Sequence, residues 1–166
     1  MTADQKKEQF ITAYTELTDK IFKYFLFRVY NRDDAKELAQ ETFIKVWKYI
    51  VDGKEIQNIN AFVYKVAYHL VVDNSKKKKE QSLDLLFENG FNVEEEKSLS
   101  TEDKRDCLSA FQEIEKMDET YKEILILRYV DDLPVNEIAQ TLGLSENLVS
   151  VRIHRGLNQL RTNIEK

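Results

Sequence analysis

One proline, Pro134, and four glycines are all the punctuation that 166 residues carry. A many-stranded β fold needs frequent tight turns, and those turns draw on Gly and Pro for their special backbone angles. This chain is poor in both. Its long uninterrupted stretches are rich in Leu, Ala, Glu, Lys and Gln, residues that lose little on entering a helix. The expectation is an all-α protein. A hydrophobic share of 42% beside 33% charged residues suits a soluble globular chain and argues against wholesale disorder. No apolar run reaches the ~20 residues that span a bilayer. The opening MTADQKKEQF lacks the apolar core of a signal peptide. Cys107 stands alone, so no intrachain disulfide can form and a reducing cytoplasm is the expected location.

Hydrophobic spacing divides the chain into three parts. In residues 1–79, Phe10, Tyr14, Leu17, Ile21, Phe25 and Val29 recur at helical intervals, predicting one or two helices over about 5–30. Asn31 breaks the pattern, and Asp33 or Asp34 can cap a second helix that buries Leu38, Phe43, Val46, Trp47 and Ile50. Asp52-Gly53 ends it. A third helix follows a loop to about Asn60, with Phe62, Val63, Val66, Ala67, Leu70 and Val71 as its core stripe. Residues 80–106 are acidic and lack a sustained period; they read as a linker. Residues 107–166 are helical again.

Charge is distributed unevenly over these parts. Residues 1–79 hold 15 Lys/Arg against 11 Asp/Glu, a net +4, and residues 144–166 are +2. The linker is −6 and residues 107–143 are −5, so the formal total of −5 conceals two basic segments. Basic segments are where a polyanion would be met.

The second basic segment contains EIAQTLGLSENLVSVRIHRGLNQL, residues 137–160. Ile138, Ala139 and Leu142 mark the inner face of a short helix, and Ala139 is small enough to let two helices cross closely. Gly143 supplies a turn and Leu144 plugs the core. Ser145 is placed to cap the next helix, with Glu146 favourable in its first turn. Val149, Ile153, Leu157 and Leu160 form the buried stripe, which leaves Asn147, Ser150, Val151, His154 and Arg155 outside. That pattern predicts a helix-turn-helix whose second helix enters a major groove. Arg can there donate twice to guanine, and Asn can pair bidentately with adenine. The alternative is a helical hairpin whose polar face is merely solvated.

The third helix, NAFVYKVAYHLVVDNSKKKK, sets Tyr64, Lys65, Tyr68, His69, Val72 and Lys76 opposite its core stripe. Tyrosines among lysines suit unstacked bases, with rings on bases and ammonium groups on phosphates. The alternative is a surface helix with tyrosines packed on a neighbour. The second helix turns Glu37, Gln40 and Glu41 outward, as a solvated face or as a protein contact.

Together these parts resemble a small sigma-70 family RNA polymerase sigma factor of the extracytoplasmic-function group, over essentially the full length. DAKELAQETFIKVW looks like the region 2 helix that binds the clamp helices of the polymerase β′ subunit, and NAFVYKVAYHLVVD like the segment that melts and reads the −10 element. Residues 107–166 look like region 4, which reads the −35 element and contacts the β flap. The resemblance implies two helical domains, 1–79 and 107–166, joined by the linker 80–106. It implies Glu37, Leu38, Gln40 and Glu41 for polymerase binding. For the −10 element it implies Tyr64, Lys65, Tyr68, His69 and Lys76, with His69 and the loop at 51–60 making a pocket for one flipped base. For the −35 element it implies Arg128, Asn147, Ser150, Val151, His154 and Arg155. Glu37 stands where Asp is usual, His69 where Asn is usual, Leu148 where Thr is common, and Ser150 where a basic residue is common. The change at Glu37 preserves the acid, that at His69 implies an altered −10 base preference, and those at Leu148 and Ser150 imply weaker phosphate anchoring or an unusual −35 sequence. Core polymerase and promoter DNA are the implied partners, and an anti-sigma factor, often membrane-anchored in the family, is a further one. No cofactor, metal or small-molecule substrate is expected, because Cys107, His69 and His154 lack metal-ligand spacing and no phosphate loop or nucleophile arrangement occurs. A stand-alone helix-turn-helix regulator is the competing reading, and it leaves the Tyr/Lys helix without a role.

Overall fold

The computed structural model describes residues 1–75 and 101–165. Among them are seven helices and no strand: α1 Ala3–Val29, α2 Arg32–Val51, α3 Ile59–Ser75, α4 Thr101–Glu115, α5 Glu119–Tyr129, α6 Val135–Leu142 and α7 Glu146–Ile164. The all-α expectation holds. The helices fall into two compact units, α1–α3 making up one and most of α4–α7 the other. The predicted linker lies outside the described residues as far as residue 100. Thr101 to Asp106, also read as linker, are helical and continue into the turns bearing Phe111 and Ile114.

In the first unit, α1 begins with a capping box. The Thr2 hydroxyl accepts from the Gln5 amide, and the Gln5 side chain accepts from the Thr2 amide. The helix is single and ends at Tyr30, which adopts left-handed geometry with φ 56°. The cap of α2 is Asn31, whose Oδ1 accepts from Asp34 N at 3.0 Å; Asp33 and Asp34, the expected caps, instead occupy the first turn near its positive end. Both α2 and α3 pack on α1 as well as on each other. Burial on α1 therefore exceeds one stripe, taking in Ala13, Tyr24 and Leu26 beside Leu17, Ile21 and Phe25. Each fully buried side chain of this size contributes about 1.5–3 kcal/mol. Val46 from α2 and Val63 and Ala67 from α3 complete the core at 0% exposure. Trp47 and Tyr14 were expected inside but are 37% and 47% exposed. They lie on the α1–α2 seam, where α3 does not cover them: Phe10 meets Trp47 at 5.0 Å and Tyr14 meets Phe43 at 4.9 Å between ring centroids.

In the second unit, Ile114, Met117, Leu125 and Ile126 form the core, flanked by Tyr121, Val130, Leu157 and Leu160. Ile124 to Leu127 are four consecutive buried residues, so this turn of α5 is enclosed on all sides, while Glu119 and Tyr129 at its ends are exposed. Asp118 caps α5, its carboxylate accepting from Thr120 N at 2.8 Å. Lys122 ties α5 back to α4 through Glu115 at 2.9 Å. Pro134 precedes α6, with φ −69° already suited to a helix start.

Candidate functional surfaces

The turn between α6 and α7 forms as its residues predict. Gly143 has φ 68°, a left-handed angle that costs a residue with a Cβ but not glycine, and its N–H and that of Leu144 both donate to Ala139 O. Ser145 Oγ accepts from Leu148 N at 3.1 Å and starts α7. Val149 is wholly buried and Ile153 and Leu157 half-buried, which holds the opposite side out. Asn147, Ser150, Val151, His154 and Arg155 are all exposed. Spacings of three and four residues place Asn147, Ser150, Val151 and His154 on one stripe, with Arg155 beside it. An exposed helix face of this kind has the width and donor set for a major groove. Arg128 differs from them. It is half-buried at the end of α5, where Nη1 donates to Leu133 O at 3.2 Å and the guanidinium lies 6.0 Å from the Tyr129 ring.

On α3 the expected outer face is only partly outside. Lys65 and His69 are exposed, and Tyr68 is half-buried with its ring 6.0 Å from the His69 ring. Tyr64 is a correction: it is 2% exposed and packs edge-on to Tyr24 at 5.7 Å. The packed-tyrosine alternative applies to it, because α1 covers a second side of α3. Lys76 lies outside the described residues. The loop before α3 carries Lys54, whose ammonium sits 4.9 Å over Tyr49, and Tyr49 meets Phe62 at 4.6 Å. Asn58 starts α3 by accepting from Ala61 N at 3.1 Å. The loop does line a cavity of about 150 Å³, but this opens beside Lys6 and Gln9 of α1, and His69 is not part of its wall.

The α2 residues divide between two concavities. Glu37, Leu38 and Glu41 line an acidic cleft of about 280 Å³ with Asp34, Asp73 and Asn74, and Lys45 reaches Glu41 at 4.0 Å. Gln40 faces the other way, into an apolar groove of about 590 Å³ with Phe10, Tyr14, Phe43, Ile44 and Trp47. This groove was not foreseen. Its signal was present in the sequence as Ile11 and Ile44, apolar residues out of phase with the core stripes and 50% and 53% exposed. Among the described residues no helix is long and apolar enough to cross a membrane.

Comparison with known proteins gives these surfaces a common context. Residues 109–160 match the family model for sigma-70, region 4. The RNA polymerase sigma factor YlaC of Bacillus subtilis (strain 168) is 28% identical over 158 residues, 92% of this chain and 90% of that protein. SigV of the same organism, also an RNA polymerase sigma factor, is 24% identical, covering 96% of this chain and 93% of its own length. The ECF RNA polymerase sigma factor SigW, again from that organism, is 26% identical over 86% of this chain and 82% of its length. Among solved structures, the sigma factor RpoE of Bartonella quintana, in complex with the anti-sigma factor NepR, superposes with a TM-score of 0.68 at 15% identity, over 95% of this chain and 98% of that one. CnrH, solved with the cytosolic domain of CnrY, gives 0.68 at 17% identity over 98% and 94%. These two establish likeness of fold, and the sequence matches establish kinship. Residues 109–160 match sigma-70 region 4, and over most of its length the chain is similar to RNA polymerase sigma factors, SigW of the extracytoplasmic-function group among them.

Proposed function

We propose that the chain is a promoter-specificity subunit: it joins core RNA polymerase and directs initiation by reading −10 and −35 elements. One combination carries this reading, an exposed groove-sized face on α7 within a chain whose near-full-length relatives are RNA polymerase sigma factors. It also sets aside the stand-alone regulator, which would leave α1–α3 without a task.

In this scheme the α2 face binds polymerase through Glu37, Leu38, Gln40 and Glu41. The acidic cleft suits basic side chains, and the neighbouring apolar groove supplies buried area. Lys65, Tyr68 and His69 on α3, with Lys76 beyond it, take the opened −10 strand. Stacking is worth about 1–3 kcal/mol per base and offsets part of the unpairing, so strand capture needs no ATP. Tyr64 serves as a support beneath that face. Asn147, Ser150, Val151, His154 and Arg155 read the −35 duplex. Arg128, with one donor committed to Leu133 O, has others for a phosphate. The protein performs no catalysis of its own and acts in the cytoplasm. An anti-sigma protein is its proposed regulator; the similarly folded RpoE was solved in complex with one. Binding to DNA without polymerase is expected to be weak, since the whole chain is acidic at −5 while the contacts are local.

The test is run-off transcription with purified core polymerase on a promoter library. Selection of templates sharing two spaced elements is expected. Transcription no more selective than that of core enzyme alone would overturn the reading.

A further inference from the structure

The interior of a 19-residue helix is a poor place for glycine, which costs about 1 kcal/mol against alanine there. Yet Gly156 lies in α7 directly after Arg155, and it is buried. A Cβ built at this position would stand 3.2 Å from Leu125 Cδ1, 3.3 Å from Leu125 Cγ and 3.4 Å from Tyr121 Cβ. Leu125 is fully buried and cannot swing away. The buried residues of the helix are Val149 near its start and Gly156 two turns later, and of the groove-facing residues all but Asn147 lie between them. We propose that Gly156 is a positioning residue for −35 recognition. By letting α7 lie flush on α5 it sets the tilt of the helix, and with it the depth at which Val151, His154 and Arg155 meet base edges. The inference rests on the proposed −35 reading.

The test uses the full chain with core polymerase on a library randomised at the −35 element, and on a template opened in advance around its −10 element. Gly156→Val should lower output from −35-dependent promoters about tenfold, the scale of one lost base contact, and shift the preferred −35 sequence. Output from the opened template should stay within about twofold, as only the second unit is perturbed. Gly156→Ala needs a few tenths of an ångström from Leu125 and recovers helix propensity; it should remain within about threefold of the unsubstituted chain. Combining Gly156→Val with Leu125→Ala exchanges volume across the contact and should restore the original preference, and it serves as the readout if the single variant fails to fold. A chain indifferent to the −35 sequence before any substitution would remove the functional reading. A selective parent whose Gly156→Val variant keeps the same preference, or a double variant whose defects merely add, would remove the role of Gly156 alone.

Discussion

Ser145 separates helix stability from DNA contact at a single atom. Its side chain is exposed, and its one described bond is the 3.1 Å N-cap to Leu148 N. No apolar burial is lost in Ser145→Ala, so the cost is that of a cap, about 1 kcal/mol within a range of about 0.5–2. In a unit of this size that corresponds to a fall in Tm of about 4–8 °C. Ser145→Asp keeps an acceptor in place and adds a negative charge at the positive end of α7, so stability is expected to match or exceed that of the parent by a few tenths of a kcal/mol. If α7 enters the groove as proposed, the same carboxylate would sit at the helix end nearest the phosphates, where repulsion weakens binding. Urea unfolding and run-off transcription on −35-dependent templates should therefore rank the variants oppositely: Asp above Ala in stability, and Asp below Ala in promoter output. If Ser145→Asp destabilises as much as Ser145→Ala, the capping geometry is wrong. If it is stable and transcribes as the parent does, α7 does not present its N-terminus to DNA.

Arg155→Ala should reduce transcription from promoters that depend on their −35 element while sparing others; an equal loss on all templates would detach Arg155 from base reading. Gln40→Ala with Glu41→Ala should weaken association with core polymerase, seen as a lower yield in co-purification, with secondary structure unchanged by circular dichroism because both side chains are exposed. Tyr64→Ala should destabilise the first unit by about 3–5 kcal/mol as a cavity in a packed core, whereas Lys65→Ala should leave unfolding within about 0.5 kcal/mol and act only on promoter opening. Asp118 caps α5, and hydrogen bonds from the amide and then the hydroxyl of Thr120 hold its carboxyl below the ordinary value. A lowered folded-state value means the stabilisation is present above the unfolded carboxyl's titration range and is lost as pH falls through the folded one. Asp118→Ala is expected to flatten stability against pH on the acid side, and an unchanged acid slope would show that other carboxylates set it.

Features governed by neighbours three or four residues away were legible before any coordinates. The Gly143 turn, the Ser145 cap, the end of α2 at Asp52-Gly53 and the outward side of α7 all follow from backbone angles and hydrogen bonds closed within one helical turn. The start of α4 was missed because an acidic first turn with few apolar residues, Thr101 to Asp106, reads equally well as a linker. The cap of α2 was misplaced by two or three residues because Asn31, Asp33 and Asp34 can all accept, and only the path of the chain from Tyr30 selects Asn31.

What lay beyond the amino-acid order was how many partners each helix meets. A hydrophobic stripe shows that a helix has an inside, but not whether a second neighbour covers its flank. Tyr64 is buried because α1 and α2 both lie against α3, and Trp47 is exposed because only α1 meets that edge of α2. Glu41 and Gln40 are adjacent in the chain yet open onto different concavities, since successive residues turn by about 100° around a helix axis. Gly156 shows locally only as a glycine inside a helix; its meaning comes from Leu125, 31 positions earlier, at a contact that exists only once α5 and α7 have packed. Short-range bonding wrote the helices and their ends into the chain, while the choice of which faces stay exposed was left to close packing between elements far apart in sequence.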